Sequence, residues 1–236
     1  MADKAARLVG PDEPVVVVGP PPRFVSRGGD KLDAALERFA LASAVAGARC
    51  LDAGSSTGGF TDALLQRGAD HVVAVDVGRH QLHERLRADG RVDSREQTDI
   101  RSITPDELGG EVDVVVADLS FISIRGVIDV LVRALRPGGD LVVLVKPQFE
   151  AGRAEVSKGR GVIRDAAIWR RVLDEACGAI EGGGTAIMDA MVSPLRGAEG
   201  NAEFLIHAVR SDPATPARPG PPLDLDAVVA DAVEGT

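Results

Sequence analysis

Strand-like runs of apolar and β-branched residues alternate along this chain with windows whose apolar residues recur at helical spacing. Short apolar runs bounded by turn residues are typical of buried strands, and recurrence every three or four positions is typical of helices. The strand-like runs are Arg49–Ala53, His71–Asp76, Val112–Asp118, Leu141–Lys146, Ala186–Val192 and Glu203–Val209. The helical windows are Thr57–Arg67, Gln81–Ala88, Ile122–Leu135 and Asp165–Ile180, preceded by an extra helix over residues 28–39. The alternation predicts an α/β doubly wound fold, with a mostly parallel sheet covered by helices on both faces.

The chain divides into three regions by composition. Residues 1–27 hold one β-branched run, Val15–Val18, followed by a Gly-Pro-Pro-Pro stretch that favours an extended linker. Residues 28–210 form the predicted globular body. Residues 211–236 are acidic and rich in proline, which predicts a poorly ordered tail with a short helix near Leu223–Val233. A length of 236 residues suits one α/β domain with such extensions.

Charge and cysteine content exclude several classes of protein. The formal net charge is −9, so binding of nucleic acid by bulk electrostatic attraction is excluded, and any RNA affinity needs a local basic face or a partner domain. Two cysteines form neither a disulfide framework nor a zinc set, and the N-terminus lacks the apolar core of a signal peptide. The longest apolar runs are too short to cross a bilayer. These features predict a cytoplasmic protein that does not associate with membranes.

A glycine-rich turn follows the first predicted strand. The segment Asp52-Ala53-Gly54-Ser55-Ser56-Thr57-Gly58-Gly59-Phe60 lets the backbone turn sharply and lets a ligand approach the peptide groups. The next strand ends in Asp76, 22 residues after Gly54, where a carboxylate can accept hydrogen bonds from ribose hydroxyls. An ordinary tight strand-to-helix turn is the alternative interpretation, which the acidic partners Asp52 and Asp76 disfavour. The pattern therefore indicates a site for an adenosine-containing cofactor.

The spacing of the glycines separates two kinds of cofactor. A dinucleotide enzyme is expected to show G-x-G-x-x-G, whose amides cradle a pyrophosphate. Here the turn reads G-S-S-T-G-G, and Asp52 lies two residues before its first glycine. This carboxylate would repel a pyrophosphate but can orient the amino end of S-adenosylmethionine (SAM). The sequence therefore favours SAM.

Four ionisable residues lie at the predicted ends of elements: Lys31, Asp118, Lys146 and Glu203. In an open parallel sheet the ligand cleft lies outside the carboxyl ends of the strands, so Asp118 and Lys146 are expected to point into it. Taken singly, each of the four is more often a solvated charge at the end of an element than a functional group. Lys146 stands out because it follows an apolar run and precedes a proline, and a lysine in a dry cleft can serve as a base.

Six sequence blocks, in this order along the chain, together resemble the TlyA family of FtsJ-like rRNA 2′-O-methyltransferases, which are often labelled hemolysin A. The blocks are Val25–Leu32, Gly54–Asp62, Ala74–Gly78, Ala117–Ser123, Val145–Glu150 and Gly200–Phe204. The resemblance covers residues 23–209. It implies a Rossmann-like methyltransferase fold with a central, mostly parallel seven-stranded sheet, and SAM-dependent methylation of a cytidine 2′-hydroxyl in ribosomal RNA.

The resemblance also implies residue roles. The family's K-D-K-E tetrad falls on Lys31, Asp118, Lys146 and Glu203, with Lys146 taking the proton from the 2′-hydroxyl. Asp118 and Glu203 would orient that lysine and the substrate, while Lys31 would stabilise the developing alkoxide. No metal is implied. The implied cofactor-binding residues are Asp52, Gly54, Ser55, Ser56, Thr57, Gly58, Gly59, Phe60, Asp76, Val77, Asp99, Ile100 and Asp118, with Asp99 on the adenine amino group.

Relatives in that family begin with an S4-type RNA-binding domain, and residues 1–27 resemble only the end of such a domain and its linker. We therefore expect this chain alone to bind ribosomal RNA or ribosomal subunits weakly. A local basic rim is one candidate contact surface, and scattered surface charge is the alternative. Its members would be Arg23, Arg27, Lys31, Arg153, Lys158, Arg160 and Arg164.

Two other functions stay open at the level of sequence. A methyltransferase of the same fold that acts on a small molecule would suit the acidity and the missing RNA-binding module. A non-catalytic SAM-binding module is disfavoured by the intact tetrad. The sequence does not predict the oligomeric state.

Overall fold

A computed structural model describes residues 21–212, residue 214 and residues 222–235. One seven-stranded sheet runs through it in the order β3-β2-β1-β4-β5-β7-β6. Its strands are β1 Arg49–Ala53, β2 His71–Val75, β3 Val92–Arg95, β4 Val112–Ala117, β5 Leu135–Val145, β6 Thr185–Val192 and β7 Phe204–Arg210. Only β7 runs antiparallel to its two neighbours, and the other pairings are parallel. The predicted fold class is confirmed.

Helices cover both faces of this sheet. They are α1 Arg27–Arg38, α2 Ala42–Val45, α3 Gly59–Gln66, α4 Glu84–Arg87, α5 Pro105–Leu108, α6 Ile128–Ala134, α7 Pro147–Glu150, α8 Arg153–Lys158, α9 Ala166–Gly182 and α10 Leu225–Glu234. Short 3-10 helices lie at Ile100–Ser102 and Ile124–Gly126. Among the described residues, none of these helices is both long and apolar enough to cross a membrane.

Successive strand residues divide the core between the two faces, as the two-residue period of a strand requires. Cys50 and Val72 join the cluster beneath α1 and α3, whereas the adjacent Leu51 and Val73 join the cluster beneath α6, α9 and α10. Because both faces are buried, the central strands are apolar almost throughout. This explains why their sequences show continuous apolar runs rather than alternation.

The strand order places a crevice at the carboxyl edge of the sheet. Strand β1 lies between β2 and β4 in the sheet. The segment after β1 leads to β2 on one side, and the segment after β4 leads to β5 on the other side, so the two segments diverge at the ends of β1 and β4. Such a divergence is where open α/β sheets bind ligands. Because β7 is antiparallel, its first residue, Phe204, pairs with Val145 at the end of β5. Glu203 therefore reaches the same edge as Lys146.

The described residues differ from the sequence-based expectations at several places. Strand β3 was not among the predicted runs. The window Ile122–Leu135 contains a 3-10 helix and α6 rather than one helix, and β5 begins earlier than predicted, at Leu135. Within 211–236, the predicted short helix is present as α10, but it packs against α9 and β6 and its buried side chains belong to the core, so residues 222–235 are better ordered than predicted. The run Val15–Val18 lies outside the described residues.

Candidate active site

Three adjoining cavities open along the carboxyl edge of the sheet. We call them the cofactor cavity, the junction cavity and the outer cavity, with volumes of about 450, 160 and 370 Å³. Asp118 and Gly54 line the first two, and Lys31 and Lys146 line the last two. Glu203 lines the outer cavity. The four tetrad residues therefore lie along the passage that leads from the cofactor cavity through the junction cavity to the outer cavity.

The turn after β1 is held close against the end of β4. Gly54 has φ +87°, and a Cβ placed on it would lie 2.6 Å from the backbone oxygen of Asp118. Only glycine combines this backbone conformation with so close an approach. Gly58 adopts φ +97° at the N-cap of α3, which is why that helix begins at Gly59 rather than at Thr57 as predicted. Five further predicted residues of the turn line the junction cavity: Ser55, Ser56, Thr57, Gly59 and Phe60.

Asp76 lies beside this turn in the cofactor cavity. Its Oδ2 accepts a hydrogen bond from Ser56 N at 2.8 Å, and its Oδ1 accepts one from Gly78 N at 2.7 Å. A carboxylate has about four acceptor positions, so two remain for ribose hydroxyls. The two backbone bonds fix the carboxylate at the end of β2 before any ligand arrives.

Asp52 is completely buried behind the turn. Its Oδ2 accepts a hydrogen bond from the Thr61 hydroxyl at 2.6 Å, whereas its Oδ1 has no hydrogen-bond partner among the described residues. Burial raises the pKa of Asp52 to about 7, and the nearby charges of Asp118 and Asp76 act in the same direction. An unpaired buried carboxyl oxygen is costly without a ligand. The site therefore fits a cofactor that brings a cationic amino group, as SAM does.

The far end of the cofactor cavity is lined by Val77, Asp99 and Ile100, which were all predicted to bind cofactor. Asp99 caps the 3-10 helix Ile100–Ser102 by accepting a hydrogen bond from Arg101 N. Hydrogen bonds from Arg101 lower the pKa of Asp99 to about 2. Asp99 is therefore an acceptor over the whole physiological pH range, which suits an adenine amino group as donor.

The four tetrad residues form two ion pairs. Lys146 Nζ lies 2.5 Å from Asp118 Oδ1 and donates a hydrogen bond to Ser120 Oγ at 2.9 Å. Lys31 Nζ donates to Glu203 Oε2, and both side chains are buried. Glu203 thus contacts Lys31 and not Lys146, which differs from the expectation that it orients Lys146. The reason is topological, since α1 brings Lys31 over the start of β7.

Several residues at this site were not singled out from the sequence. Ser120 contacts Lys146, and Phe121 is 91% exposed with φ +65°, on the rim shared by the cofactor and outer cavities. Both follow Asp118 directly, and that proximity was the available signal. Phe121 packs against Phe149 with ring centroids 5.1 Å apart. An exposed aromatic pair at the rim of a cleft is a surface on which a planar group can stack.

Asn201 fixes one wall of the outer cavity. Its side chain is buried, accepts a hydrogen bond from Ile163 N and donates one to Gly161 O, each at 2.9 Å. The nearby indole of Trp169 donates to Ile163 O and packs edge-on against Phe204. The loop after α8 is therefore tied to the strand that carries Glu203.

The predicted basic rim is only partly assembled. Arg23 pairs with Asp33, Arg27 donates to the backbone oxygen of Arg196, and Lys31 belongs to the buried tetrad. The remaining members lie on α8 and the loop beyond it: Arg153, Lys158, Arg160 and Arg164. The cations that face solvent near the outer cavity are therefore concentrated on one segment.

Comparison with known proteins agrees with this geometry. The family model described as FtsJ-like methyltransferase matches residues 24–210. The chain is 52% identical over 184 residues to the 16S/23S rRNA (cytidine-2′-O)-methyltransferase TlyA of Mycobacterium tuberculosis, covering 78% of this chain and 67% of that protein. It is 42% identical to Hemolysin A of Brachyspira hyodysenteriae, covering 79% and 77%.

A solved structure of a candidate hemolysin from Streptococcus thermophilus is also similar, with a TM-score of 0.84 and 40% identity, covering 92% of this chain and 76% of that one. The predictions of a Rossmann-like fold and of a methyltransferase are confirmed. The matched region includes both the glycine-rich turn and the tetrad. The chain therefore belongs to the FtsJ-like methyltransferase family.

Proposed function

We propose that this chain transfers a methyl group from SAM to the 2′-hydroxyl of a cytidine in ribosomal RNA. The observation that carries the proposal is a pair of lysine–carboxylate contacts, Lys31–Glu203 buried and Lys146–Asp118 partly buried, between the cofactor and outer cavities. The 52% identical relative is named for this reaction, which supports the substrate class.

The cofactor cavity offers each part of SAM a fitting group. Asp76 and Asp99 line this cavity and are the proposed partners of the ribose and of the adenine amino group. Asp52 lines none of the three cavities and is buried behind the turn, where its unpaired Oδ1 is the proposed partner of the methionine amino group. SAM, when bound, supplies a methyl group on a positively charged sulfur. The Gly54 turn lets this group approach the junction cavity, where Lys146 and Asp118 lie.

Lys146 is the proposed proton acceptor. Ribose hydroxyls are weak acids, so methyl transfer at neutral pH needs a positioned base. The proton of the 2′-hydroxyl passes to the amine of Lys146 as the oxygen bonds the methyl carbon and the carbon–sulfur bond breaks. Asp118 and Ser120 hold the Lys146 amine in place and receive the resulting ammonium as an ion pair.

Lys31 and Glu203 have a different proposed role, because they contact each other across the passage. The ammonium of Lys31 stabilises negative charge that develops on the ribose oxygen. Glu203 keeps this ammonium aimed at the cleft, and its burial within the start of β7 fixes its direction.

The outer cavity has features of a nucleotide site. Phe121 and Phe149 offer an aromatic surface, and stacking on such surfaces is a general way to hold a base that has left its helix. Lys158 and the other cations of α8 and the following loop can contact phosphates. These features favour an RNA substrate over a compact small molecule.

The domain organisation belongs to the same proposal. Residues 28–210 form the methyltransferase domain, and residues 1–27 correspond to the end of an S4-type domain with its linker. Ribosomal RNA or a ribosomal subunit is the proposed partner, and the cytoplasm is the proposed compartment.

Transfer of tritiated methyl groups from SAM tests the proposal. Ribosomal subunits, free rRNA and a small-molecule extract are offered in parallel, and labelled RNA is digested to nucleosides. We expect label in 2′-O-methylcytidine. Label confined to a small molecule, or on the base rather than the ribose, would refute the proposed function.

A further inference from the structure

Gln148 carries an amide that the proposed mechanism does not use. It lies on α7 and lines the outer cavity together with Lys31, Lys146 and Glu203. Its carbonyl oxygen is buried and accepts no hydrogen bond from the described residues. Buried amide oxygens are nearly always paired, so an unpaired one beside a reactive cleft needs an explanation.

The backbone that carries Gln148 is firmly held. Pro147 is buried at the first position of α7, and Phe149 N donates a hydrogen bond to Lys146 O at 2.8 Å. Glu150, at the other end, accepts hydrogen bonds from the Ser123 hydroxyl and from Ile124 N. Gln148 therefore lies at a fixed position two residues after Lys146, while its side chain stays without a fixed partner.

This position corresponds to the base of the target nucleotide. Lys146 lines both the junction cavity and the outer cavity, so a ribose held at Lys146 can extend its base into the outer cavity, whose volume of about 370 Å³ accommodates a base. The ring of Phe149 is adjacent to Gln148 in the chain and packs against Phe121 at the cavity rim. The face of the base then meets an aromatic surface, and its edge meets the amide.

We propose that the Gln148 carbonyl accepts a hydrogen bond from the exocyclic amine of the target cytosine, so that Gln148 determines which base is accepted. The proposal rests on the proposed function. Because no contact among the described residues fixes the amide, the side chain can turn its carbonyl toward the cavity when a base enters. A site that pairs a substrate N–H group rejects an analogue that lacks it.

A double-mutant cycle tests the contact directly. One change is Gln148→Leu, which keeps the size of the side chain but removes its hydrogen-bonding groups. The other change is in the RNA, where the methylated cytidine is replaced by its analogue without the exocyclic amine. We expect each change alone to lower kcat/KM about tenfold, within the range for one specific base contact. Together they lower it little further, because both remove the same hydrogen bond.

Matched measurements keep the test decisive. SAM affinity is measured for each variant, and Gln148→Met replaces the leucine variant if that one fails to fold. The control is Gln81→Leu, which removes an amide from the cofactor cavity rather than from the outer cavity. For this variant, loss of the exocyclic amine from the RNA must lower kcat/KM by the same factor as for the wild type.

Independent, multiplicative losses in the cycle would overturn the proposal, as would a wild-type enzyme indifferent to the amine. A wild-type enzyme that methylates no RNA would instead refute the proposed function.

Discussion

Lys146 and Asp118 lie at the ends of neighbouring strands because β4 and β5 are parallel and in register near their carboxyl ends. Their contact allows two roles for the lysine: a proton acceptor, or a fixed positive charge. The two roles differ in whether the group must ever lose its proton. An arginine keeps the charge but cannot be deprotonated in a protein, so substitution separates them.

We predict that Lys146→Ala loses nearly all methyl transfer while retaining SAM affinity. A positioned proton acceptor contributes about 10²–10⁴-fold to a rate. Lys146→Arg is expected to be nearly as inactive, although its charge can still pair with Asp118. Single-turnover transfer with labelled SAM measures the rate, and calorimetry measures binding. Substantial activity in the arginine variant would assign Lys146 a purely electrostatic role.

Asp52 predicts a dependence of SAM affinity on pH. Burial raises the pKa of Asp52 to about 7 in the free protein, whereas a bound ammonium group favours the ionised carboxylate. Binding then requires loss of the Asp52 proton, so affinity rises with pH. With a free-state pKa of about 7, the affinity gain between pH 6 and pH 7.5 is about eightfold. Titration calorimetry over this range measures it, below the pH at which the cofactor's own amine loses its proton.

The matched variant is Asp52→Asn, whose SAM affinity is expected to be weaker and flat with pH. The free energy of unfolding of Asp52→Asn without cofactor is a second, independent measurement. A carboxyl whose pKa is raised by folding destabilises the folded state as pH rises from about 4 toward 7. Asp52→Asn is therefore expected to gain stability relative to the wild type at pH 7.5 and not at pH 4. A pH-dependent SAM affinity in the asparagine variant would locate the titrating group elsewhere.

Among the elements, the turn between β1 and α3 depends most strongly on a single residue. In Gly54→Ala, the new Cβ would lie 2.6 Å from Asp118 O in a backbone with φ +87°. The turn must then move away from β4, which separates the cofactor cavity from Lys146. We predict a loss of stability of about 1 kcal/mol or more and a clear loss of SAM affinity, measured by denaturant unfolding and calorimetry.

Gly178 provides the control for this variant. It is exposed within α9, and a Cβ placed there has no atom outside the helix backbone within 4 Å. Gly178→Ala is expected to stabilise the protein by about 0.5–1 kcal/mol through helix propensity, with SAM affinity unchanged. Equal effects of the two substitutions would show that the Gly54 turn has no special steric requirement.

The sequence predicts best those elements whose local pattern and tertiary environment agree. Strand β1 has the predicted bounds, since it is buried on both faces and ends at glycine. Strand β3, Val92–Arg95, has one strongly apolar residue and exists because it pairs with β2 at the sheet edge. The register shift between Val112 and Val114 has no local signature in β4. The break at Gly126 has one, since a glycine inside a helical window weakens the helix.

The candidate site shows a similar division. Residues at strand ends and in the glycine turn could be identified because the fold class itself determines where they lie. The contacts between these residues could not be predicted. The ion pair of Lys31 with Glu203, for example, joins residues 172 positions apart, and it depends on an antiparallel strand whose direction the sequence pattern does not indicate. The exposure of Phe121 and the unpaired amide of Gln148 likewise appear only in three dimensions.

For the whole molecule, a net charge of −9 opposes the approach of RNA. We predict that the 236-residue chain binds rRNA with a Kd weaker than about 1 µM at physiological salt, in the range of non-specific contacts. Fusing an S4-type domain upstream should raise the affinity and steepen the dependence of log K on log salt, because each added phosphate contact releases counterions. Filter binding across a salt series measures both. Nanomolar affinity of the chain alone would contradict the need for a second module.

Trp169 is the only tryptophan in the chain, and its indole lies between the loop at Ile163 and the first residue of β7. The molecule thus contains an intrinsic optical probe at the wall of the outer cavity. Indole emission responds to the polarity and rigidity of its surroundings, so a fluorescence change on mixing with RNA would report how this wall rearranges. Stopped-flow traces of that signal would time substrate entry separately from methyl transfer, with no added dye.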